Sequence, residues 1–166
     1  MNPWGLSDRA DPASCTIADR HYSRQKPGTP QFVPPGRCVV LRTPDAPCLW
    51  VTSWPFAEFT KHEWAGAWVN SLFRSEAPDR YLSSDLVTAA VAATRAVWDP
   101  PPLGIVTFID TAKTRRKRDP GRCYRRAGWQ VAGETKGGLV ALQQLPADMP
   151  DPDPAIGSQM MLGQAT

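Results

Sequence analysis

The chain contains 166 residues with a formal net charge of +3, and 42% of its residues are hydrophobic. That length accommodates one domain with a full hydrophobic core and is too short for two domains of ordinary size. No segment offers the ~20 uncharged apolar residues that cross a bilayer, and residues 1–10 are neither basic nor followed by an apolar signal core. We therefore expect one globular unit with no membrane partner, located in the cytoplasm.

The cysteines and the two terminal segments allow two further predictions, on the state of the thiols and on the bounds of the domain. The four cysteines show no CxxC spacing, which favours reduced thiols over a zinc site or a disulfide framework. Residues 1–14 are polar and without periodicity, and residues 146–166 include the run Pro-Asp-Pro-Asp-Pro. We predict that both segments are disordered and that residues 15–145 form the domain.

In chain order, the first predicted elements are two strands and a helix. Residues 37–42 and 47–53 have strand composition, and proline and aspartate occupy the turn between them, which predicts an antiparallel hairpin. Trp64, Trp68 and Leu72 then recur at intervals of four residues. This spacing predicts an amphipathic helix that ends about two residues after Leu72.

A second helix and a buried strand follow. Ser83-Ser84-Asp85 supplies capping hydroxyls and an acid suited to a helix start, and Asp99-Pro100-Pro101-Pro102 stops that helix. Residues 103–109 are a continuous apolar, β-branched run, which predicts a strand buried on both faces. Asp110 stands at the C-terminal end of this strand.

The last predicted elements are a short helix over 124–128, ended by glycine, and a hairpin formed by 129–132 and 138–145. The order of all these elements predicts an α/β or α+β fold, with a single mixed, mostly antiparallel sheet flanked by helices. Ligands in such folds bind where strand ends splay apart. The position of Asp110 therefore places it near a candidate site.

The positive charge is concentrated in one segment. Residues 113–126 contain eight basic residues and one acidic residue, which gives them a net charge of +7 while the rest of the chain is net acidic. The like charges of such a patch repel one another, and a bound polyanion removes this repulsion, which favours a nucleic-acid-binding segment. The alternative interpretation is a solvated surface loop. The basic residues that we expect to contact DNA phosphates are Arg24, Lys113, Arg115, Arg116, Lys117, Arg118 and Arg122.

Several polar residues are suited to chemistry. His21, beside Tyr22 in a polar segment, can be a base, a metal ligand or a capping residue. Asp110 can orient or deprotonate a substrate amine, complete a metal site with His21, or cap a turn. Tyr124 can protonate a leaving group, bond to a flipped base, or pack its ring on Trp129.

Further candidates concern anions, thiol chemistry and stacking. Arg74 can place its fork on a phosphate to which Ser83 and Ser84 also donate, or it can simply face solvent at the end of a helix. Cys123, among several cations, is a secondary nucleophile or ligand candidate. The aromatic residues that can stack on an extruded base are Trp54, Phe56 and Tyr22.

Five motifs, taken in order, resemble one family. They are His21-Tyr22-Ser23-Arg24, Asn70-Ser71-Leu72-Phe73-Arg74 with Glu76, Leu82-Ser83-Ser84, Thr107-Phe108-Ile109-Asp110, and Asp119-Pro120-Gly121-Arg122-Cys123-Tyr124 with Ala127-Gly128-Trp129. Together they resemble the phage Mom DNA-modification family, a divergent GNAT-like group. The stretch from Tyr124 to Trp129, followed by Gly133, is also similar to the tyrosine-to-GF stretch of GNAT acetyltransferases, although their glycine-rich pyrophosphate loop is not recognisable here.

The resemblance implies a GNAT-like fold and an enzyme that converts adenine in DNA to N6-carbamoylmethyladenine, which protects phage DNA from restriction. It implies DNA and a small-molecule donor, acetyl-coenzyme A or another activated group, as partners of a monomer or homodimer. It also implies an iron ion, for which His21, Asp110 and Asp119 are our candidate ligands. The residues to which it gives roles are His21, Tyr22, Arg74, Ser84, Asp110, Asp119 and Tyr124.

Two other interpretations of the sequence stay open. The first is a conventional GNAT N-acetyltransferase that acts on a small-molecule or protein amine. The second is a non-catalytic DNA-binding module built around the basic segment.

Overall fold

The computed structural model describes residues 1–22, 24, 26–114 and 119–157. The strands are β1 (Gly5–Ser7), β2 (Arg37–Arg42), β3 (Cys48–Trp54), β4 (Trp68–Ser75), β5 (Ile105–Ile109), β6 (Gln130–Glu134) and β7 (Val140–Gln144). The helices are α1 (Pro12–Ala18), α2 (Ser83–Val97) and α3 (Arg122–Arg126). Within these described ranges, none of the helices has both the length and the apolar character needed to cross a bilayer.

All seven strands join one sheet in the order β1-β2-β3-β4-β5-β7-β6. Strands β4 and β5 run parallel, and the other neighbouring pairs are antiparallel. Helix α2 makes the crossover between β4 and β5 that a parallel pair requires. The predicted α+β class with one mixed sheet is confirmed, as are the hairpins β2–β3 and β6–β7, helix α2 and strand β5.

The sheet separates two apolar layers. On one face, helix α2 buries Leu86 and Val87 in the same cluster as Trp50 and Trp68 of the sheet. On the other face, Ile17 of α1 belongs to a second buried cluster with residues of β2, β3 and β4. Because both faces are covered, polar side chains inside the sheet must find partners there.

The helix predicted from Trp64, Trp68 and Leu72 is wrong, because Trp68–Ser75 is strand β4. Trp64 lies in the turn before this strand and packs with Val106 on the face opposite to Trp68. A spacing of four residues fits a strand as well as a helix, since four is a multiple of the two-residue period of a strand. The periodicity alone therefore does not separate the two structures.

The N-terminal segment belongs to the core, which corrects the predicted disorder of residues 1–14. Trp4 is fully buried, and its indole N–H donates to the carbonyl of Leu86 at 2.8 Å. Strand β1 pairs with β2, and α1 begins after Asp11, whose carboxylate accepts from the backbone N–H of Ala13. One large aromatic side chain anchors a segment that has no periodic pattern.

The described part of the proline-rich C-terminal segment is also packed. Met149 and Ala155 are buried, and the N–H of Asp153 donates to the carbonyl of Ala92 in α2 at 3.1 Å. Ile156 bridges to Gly5 beside the edge of the sheet. The ordered unit therefore extends past the predicted boundary at residue 145, because extended segments without periodicity can still bury individual side chains.

Candidate functional site

Strands β4 and β5 diverge in the middle of the sheet. They pair over three residues of each strand, as far as Asn70 and Thr107. On the other side of β4, the ladder with β3 skips Ser71, because Val51 pairs with Leu72 while the next residue of β3 pairs with Asn70. An extra residue in one strand of a pair bends that strand. The second half of β4 thus leaves β5, and a crevice opens between their C-terminal ends.

The crevice has a volume of about 50 Å³ and adjoins a larger cavity of about 410 Å³. His21 and Tyr22, which follow α1, line both spaces, and so does Tyr124 from α3. These side chains come from segments that pack on opposite faces of the sheet. The divergence of β4 and β5 is therefore what lets them meet.

The larger cavity brings together many of the residues predicted from the sequence. Those that line it are His21, Tyr22, Arg74, Ser83, Lys113 and Tyr124. A second cavity of about 400 Å³ is lined by Ser84, Asp119 and Arg122, together with Ser83 and Cys123, which line both cavities. The start of helix α2 therefore lies between two cavities that carry cationic side chains.

His21, Tyr22 and Asp110 are connected in one chain of contacts. The rings of His21 and Tyr22 stack with their centroids 4.4 Å apart and their planes at 30°. Burial raises the pKa of Tyr22, and the nearby Asp110 carboxylate raises it further, while a hydrogen bond donated by the Asp110 backbone N–H opposes both effects. Tyr22 therefore stays a neutral phenol between the imidazole and the end of β5.

The carboxylate of Asp110 caps a turn. Its Oδ1 accepts hydrogen bonds from the backbone N–H groups of Ala112 and Lys113, both at 3.1 Å. Among the described residues that line the crevice and the two cavities, Ile109 is present and Asp110 is not. Asp110 thus shapes the chain at the start of the basic segment, and this geometry matches the turn-cap interpretation of its role.

Arg74 is held by a shared carboxylate. Glu76 Oε2 accepts from the Nε of Arg74 at 2.7 Å and from the Nε of Arg20 at 2.6 Å, and Arg20 adds a second bond to Oε1. Hydrogen bonds from Arg20 and then from Arg74 lower the pKa of Glu76 to about 2, against its partial burial. Because only the Nε of Arg74 has a partner among the described residues, its two terminal nitrogens remain for a ligand of the cavity.

Tyr124 ends in a buried hydrogen-bond network. Its hydroxyl donates to Asn70 Oδ1 at 2.6 Å. The Asn70 Nδ2 donates to the carbonyls of Val51 at 3.0 Å and Leu72 at 2.9 Å, and the Thr107 hydroxyl donates to the Asn70 carbonyl at 3.1 Å. Burial raises the pKa of Tyr124 well above its ordinary value. The phenol is therefore protonated throughout the physiological range.

Asn70 is a site residue to which the sequence analysis gave no role. It is 4% exposed and joins the Ser71 bulge to the Tyr124 hydroxyl. The available signal was a carboxamide in the otherwise apolar alternation of β4, since a buried amide must satisfy both its donors and its acceptor. The ring of Tyr124 also packs on Trp129, with centroids 5.0 Å apart, as one interpretation of the sequence expected.

Arg24 does not fit its expected role as a phosphate contact. Its side chain is only 8% exposed and forms an ion pair with Asp19 at 2.9 Å. Its terminal nitrogens donate to the backbone carbonyls of Gln31 and Thr29. Arg24 therefore fixes the loop that follows α1. Four other expected phosphate contacts lie outside the described residues, namely Arg115, Arg116, Lys117 and Arg118.

Two of the three aromatic candidates lie far from the cavity. Arg74 pairs with Leu49 near the start of β3, whereas Trp54 ends that strand five residues later, roughly 17 Å away at ~3.4 Å per residue. There Trp54 holds the guanidinium of Arg37 over its ring at 4.0 Å. Phe56 is exposed two residues further on. Tyr22 is thus the one of the three that lines the cavity.

The residues expected to hold iron do not form a cluster. The part of the chain that the structure describes contains no group of three or more His, Cys, Asp or Glu side chains placed to hold a metal ion. Asp119 forms an ion pair with Arg125, and Asp110 caps its turn. Because His21, Asp110 and Asp119 do not fit a three-ligand site in this arrangement, we derive no chemical step through a metal.

The cavity combines a stacked imidazole and phenol, an arginine whose terminal nitrogens have no partner among the described residues, and a second, buried phenol at the ends of diverging strands. Its volume lies within the ~300–1,000 Å³ of ordinary ligand pockets, and such strand ends are a common place for them. The arrangement suits a ligand that has both a planar ring and an anionic group. Comparisons of the chain with protein-family models, with curated proteins and with solved structures give no match.

Proposed function

We propose that this protein is a DNA-modifying transferase that converts adenine to N6-carbamoylmethyladenine and thereby protects phage-type DNA from restriction. The observation that carries the proposal is the convergence of sequence motifs on one place. Each of the five Mom-like motifs contributes residues to the lining of the crevice or of the two cavities. Motifs that are far apart in the chain thus border neighbouring cavities that share lining residues.

A GNAT-like fold is part of the proposal. Its support is the order of the elements, with α2 crossing between the parallel strands β4 and β5, and with β7 inserted between β5 and β6. The absence of a glycine-rich loop before α2 is offset by other donors. Ser83, the first residue of this helix, lines the larger cavity with Arg74 and the second cavity with Ser84, and these side chains can hold an anionic group of a donor molecule.

The cationic surface supports DNA as the substrate. Lys113 borders the larger cavity, and Arg122 and Arg126 border the second one. The amine of adenine is paired and stacked in duplex DNA, so the base must be extruded at a cost of about a few kcal/mol. Contacts between these cations and the phosphates on both sides of the target base stabilise the extruded state.

The proposed reaction needs a base next to adenine N6, whose lone pair is delocalised into the ring. His21 lines both the crevice and the cavity and is our candidate for that base. In the transfer, N6 forms a bond to the methylene carbon of the donor, the leaving group departs with the bonding electrons, and the N6 proton passes to His21. A thioester acyl transfer would instead place a carbonyl carbon on N6.

The proposal is tested by nucleoside analysis of plasmid DNA from cells that express the protein. We expect a deoxyadenosine that is heavier by one carbamoylmethyl group in place of one hydrogen. His21→Ala should abolish this product. His62→Ala is the matched control, because His62 packs against Trp64 and Phe108 outside the cavity lining. Soluble protein without the heavier nucleoside would argue against the proposal.

An N-acetyltransferase acting on a small-molecule or protein amine is the second candidate. The second cavity favours it, since Ser83 and Ser84 lie there beside Arg122 and Arg126, a set of donors suited to a diphosphate. This activity predicts that acetyl-coenzyme A is consumed in the presence of an amine and without DNA. Consumption that requires DNA, or no consumption, would count against it.

A further inference from the structure

The orientation of the Asn70 side chain is determined by its surroundings. Its Nδ2 lies 3.0 Å from the carbonyl oxygen of Val51 and 2.9 Å from that of Leu72. A carboxamide turned by 180° would instead place Oδ1 against these two oxygens, which have no proton to offer. Asn70 therefore directs Oδ1 toward Tyr124 and Thr107.

This orientation decides where the phenolic proton of Tyr124 points. Oδ1 can only accept, so the hydroxyl 2.6 Å away must donate to it. The single proton of Thr107 can go to the Asn70 carbonyl at 3.1 Å, to Oδ1 at 3.3 Å or to the Tyr124 oxygen, so it occupies at most one lone pair of that oxygen. The Tyr124 oxygen thus keeps lone-pair capacity and has no proton left to donate to a ligand.

Asn70, Thr107 and Tyr124 all line the crevice, and the Tyr124 hydroxyl is bonded to Asn70. A volume of about 50 Å³ admits a few water-sized groups, since one such group needs ~10–15 Å³, and it does not admit a purine ring. The larger cavity of about 410 Å³ next to it is large enough for the ring. A base in the cavity can therefore insert only its exocyclic group into the crevice.

We propose that the Tyr124 oxygen accepts a hydrogen bond from the exocyclic amino group of the target base, and that Asn70 is the positioning residue that makes this phenol an acceptor. The site then selects a base with an amine over one with a carbonyl at the same ring position. An amine donates to the phenol oxygen, whereas a carbonyl oxygen would face another acceptor. This inference rests on the proposed function, because it assigns the base that the site recognises.

The test is a binding comparison that needs no turnover. Two fluorescent oligothymidines are titrated with the protein, one with a single central adenine and one with hypoxanthine, which has a carbonyl in place of the adenine amine. We expect adenine to bind about 5- to 150-fold more tightly, the range that follows from leaving one buried polar group unpaired. Tyr124→Phe should bring this ratio close to one, because it removes the acceptor.

Variants at position 70 separate positioning from mere packing. Asn70→Asp keeps an acceptor facing Tyr124 but turns its second oxygen toward the carbonyls of Val51 and Leu72, so thermal unfolding must show that it is folded; the folded variant should keep the preference for adenine. Asn70→Leu releases the phenolic proton to the ligand and should remove or reverse the preference. Because leucine also leaves two strand carbonyls without a donor, thermal unfolding must first show that this variant is folded; Tyr124→Phe, which removes one oxygen atom, carries the test if it is not.

The outcomes of the binding comparison and of the nucleoside analysis separate the recognition of the amine from the proposed function. A wild-type ratio near one, an unchanged ratio in Tyr124→Phe, or no binding of the adenine oligonucleotide overturns the inference. A preserved ratio together with plasmid DNA that lacks the heavier deoxyadenosine overturns the proposed function and leaves the recognition of the amine standing. A heavier deoxyadenosine together with a ratio near one overturns the recognition of the amine and leaves the proposed function standing.

Discussion

Replacing Glu76 by glutamine tests the ion-pair cluster that positions Arg74. Glu76 has a pKa of about 2 in the folded protein against an ordinary value of 4.5. A pKa difference of one unit between the folded and unfolded states is worth about 1.36 kcal/mol, so the unscreened contribution of Glu76 to stability would be about 3 kcal/mol at neutral pH. Because the Arg20 and Arg74 side chains are 44% and 34% exposed, solvent screens the cluster, and we expect Glu76→Gln to lower the free energy of unfolding by about 1–2 kcal/mol.

The pH dependence follows from the sign of the change. A carboxyl whose pKa is lowered on folding stabilises the protein above its unfolded pKa and loses that contribution as the pH falls through the folded pKa. The difference between wild type and Glu76→Gln should therefore be full above pH 4.5 and shrink as the pH approaches 2. Urea unfolding followed by circular dichroism at a series of pH values measures it.

The same urea unfolding experiment includes a control variant, Asp45→Asn, and can give a result that contradicts the prediction. Asp45→Asn removes an ion pair with Arg80 whose side chains are 43% and 64% exposed, and it should change stability less than Glu76→Gln at pH 7. If the Glu76→Gln difference is absent at pH 7, or stays constant as the pH falls, the charge of Glu76 does not stabilise this cluster. The account of how Arg74 is positioned would then be wrong.

Three further predictions concern the core, a backbone contact and DNA binding. Trp4→Ala should lower the free energy of unfolding by about 3–5 kcal/mol in calorimetry, because the indole is fully buried; a loss below 1 kcal/mol would contradict its place in the core. Gly104→Ala should cost more than about 3 kcal/mol, since its Cβ would lie 2.0 Å from a backbone oxygen, whereas Gly138→Ala, also at positive φ but in open space, should cost about 1 kcal/mol; equal losses in chemical denaturation would refute this. Lys113→Ala should reduce the slope of log K against log salt for duplex DNA by about 0.9, and Arg24→Ala should leave that slope unchanged in salt titrations while destabilising the fold.

The elements that were predictable from the sequence are those with an unambiguous pattern. Helix α2 has an acid in its first turn and prolines after its end, and β5 is a short apolar run; the predicted capping by Ser83 and Ser84 is wrong, because Leu82 is the N-cap and no side chain caps it. Strand β4 was not predictable, because its buried residues Trp68 and Leu72 satisfy the helical and the extended period at once. Trp4 was missed for a different reason, since one aromatic residue in a polar segment has no period to detect.

The site was predictable as a set of residues and not as a geometry. The motifs named His21, Tyr22 and Tyr124, and these residues do line one cavity. Asn70, which is 54 positions from Tyr124, accepts the Tyr124 hydroxyl proton at the last residue of β4 that pairs with β5, and no sequence pattern joins the two. Asp110 shows the converse limit. A carboxylate at the end of a strand serves a ligand or a turn equally well in sequence, and only its hydrogen bonds distinguish the two.

The Ser71 bulge makes the opening of the site a question of strand length. The Ser71 side chain bonds to Ser53, and Leu72 packs beside α1, so two consecutive residues turn toward the same layer. A β4 one residue shorter would alternate regularly from Asn70 to Arg74 and could continue its ladder with β5, as an unbulged strand does. Deletion of the codon for Ser71 would then close the crevice, while every side chain that lines it on the α3 side would be unchanged. Insertion or loss of one residue is thus a route by which this sheet could gain or lose a binding site.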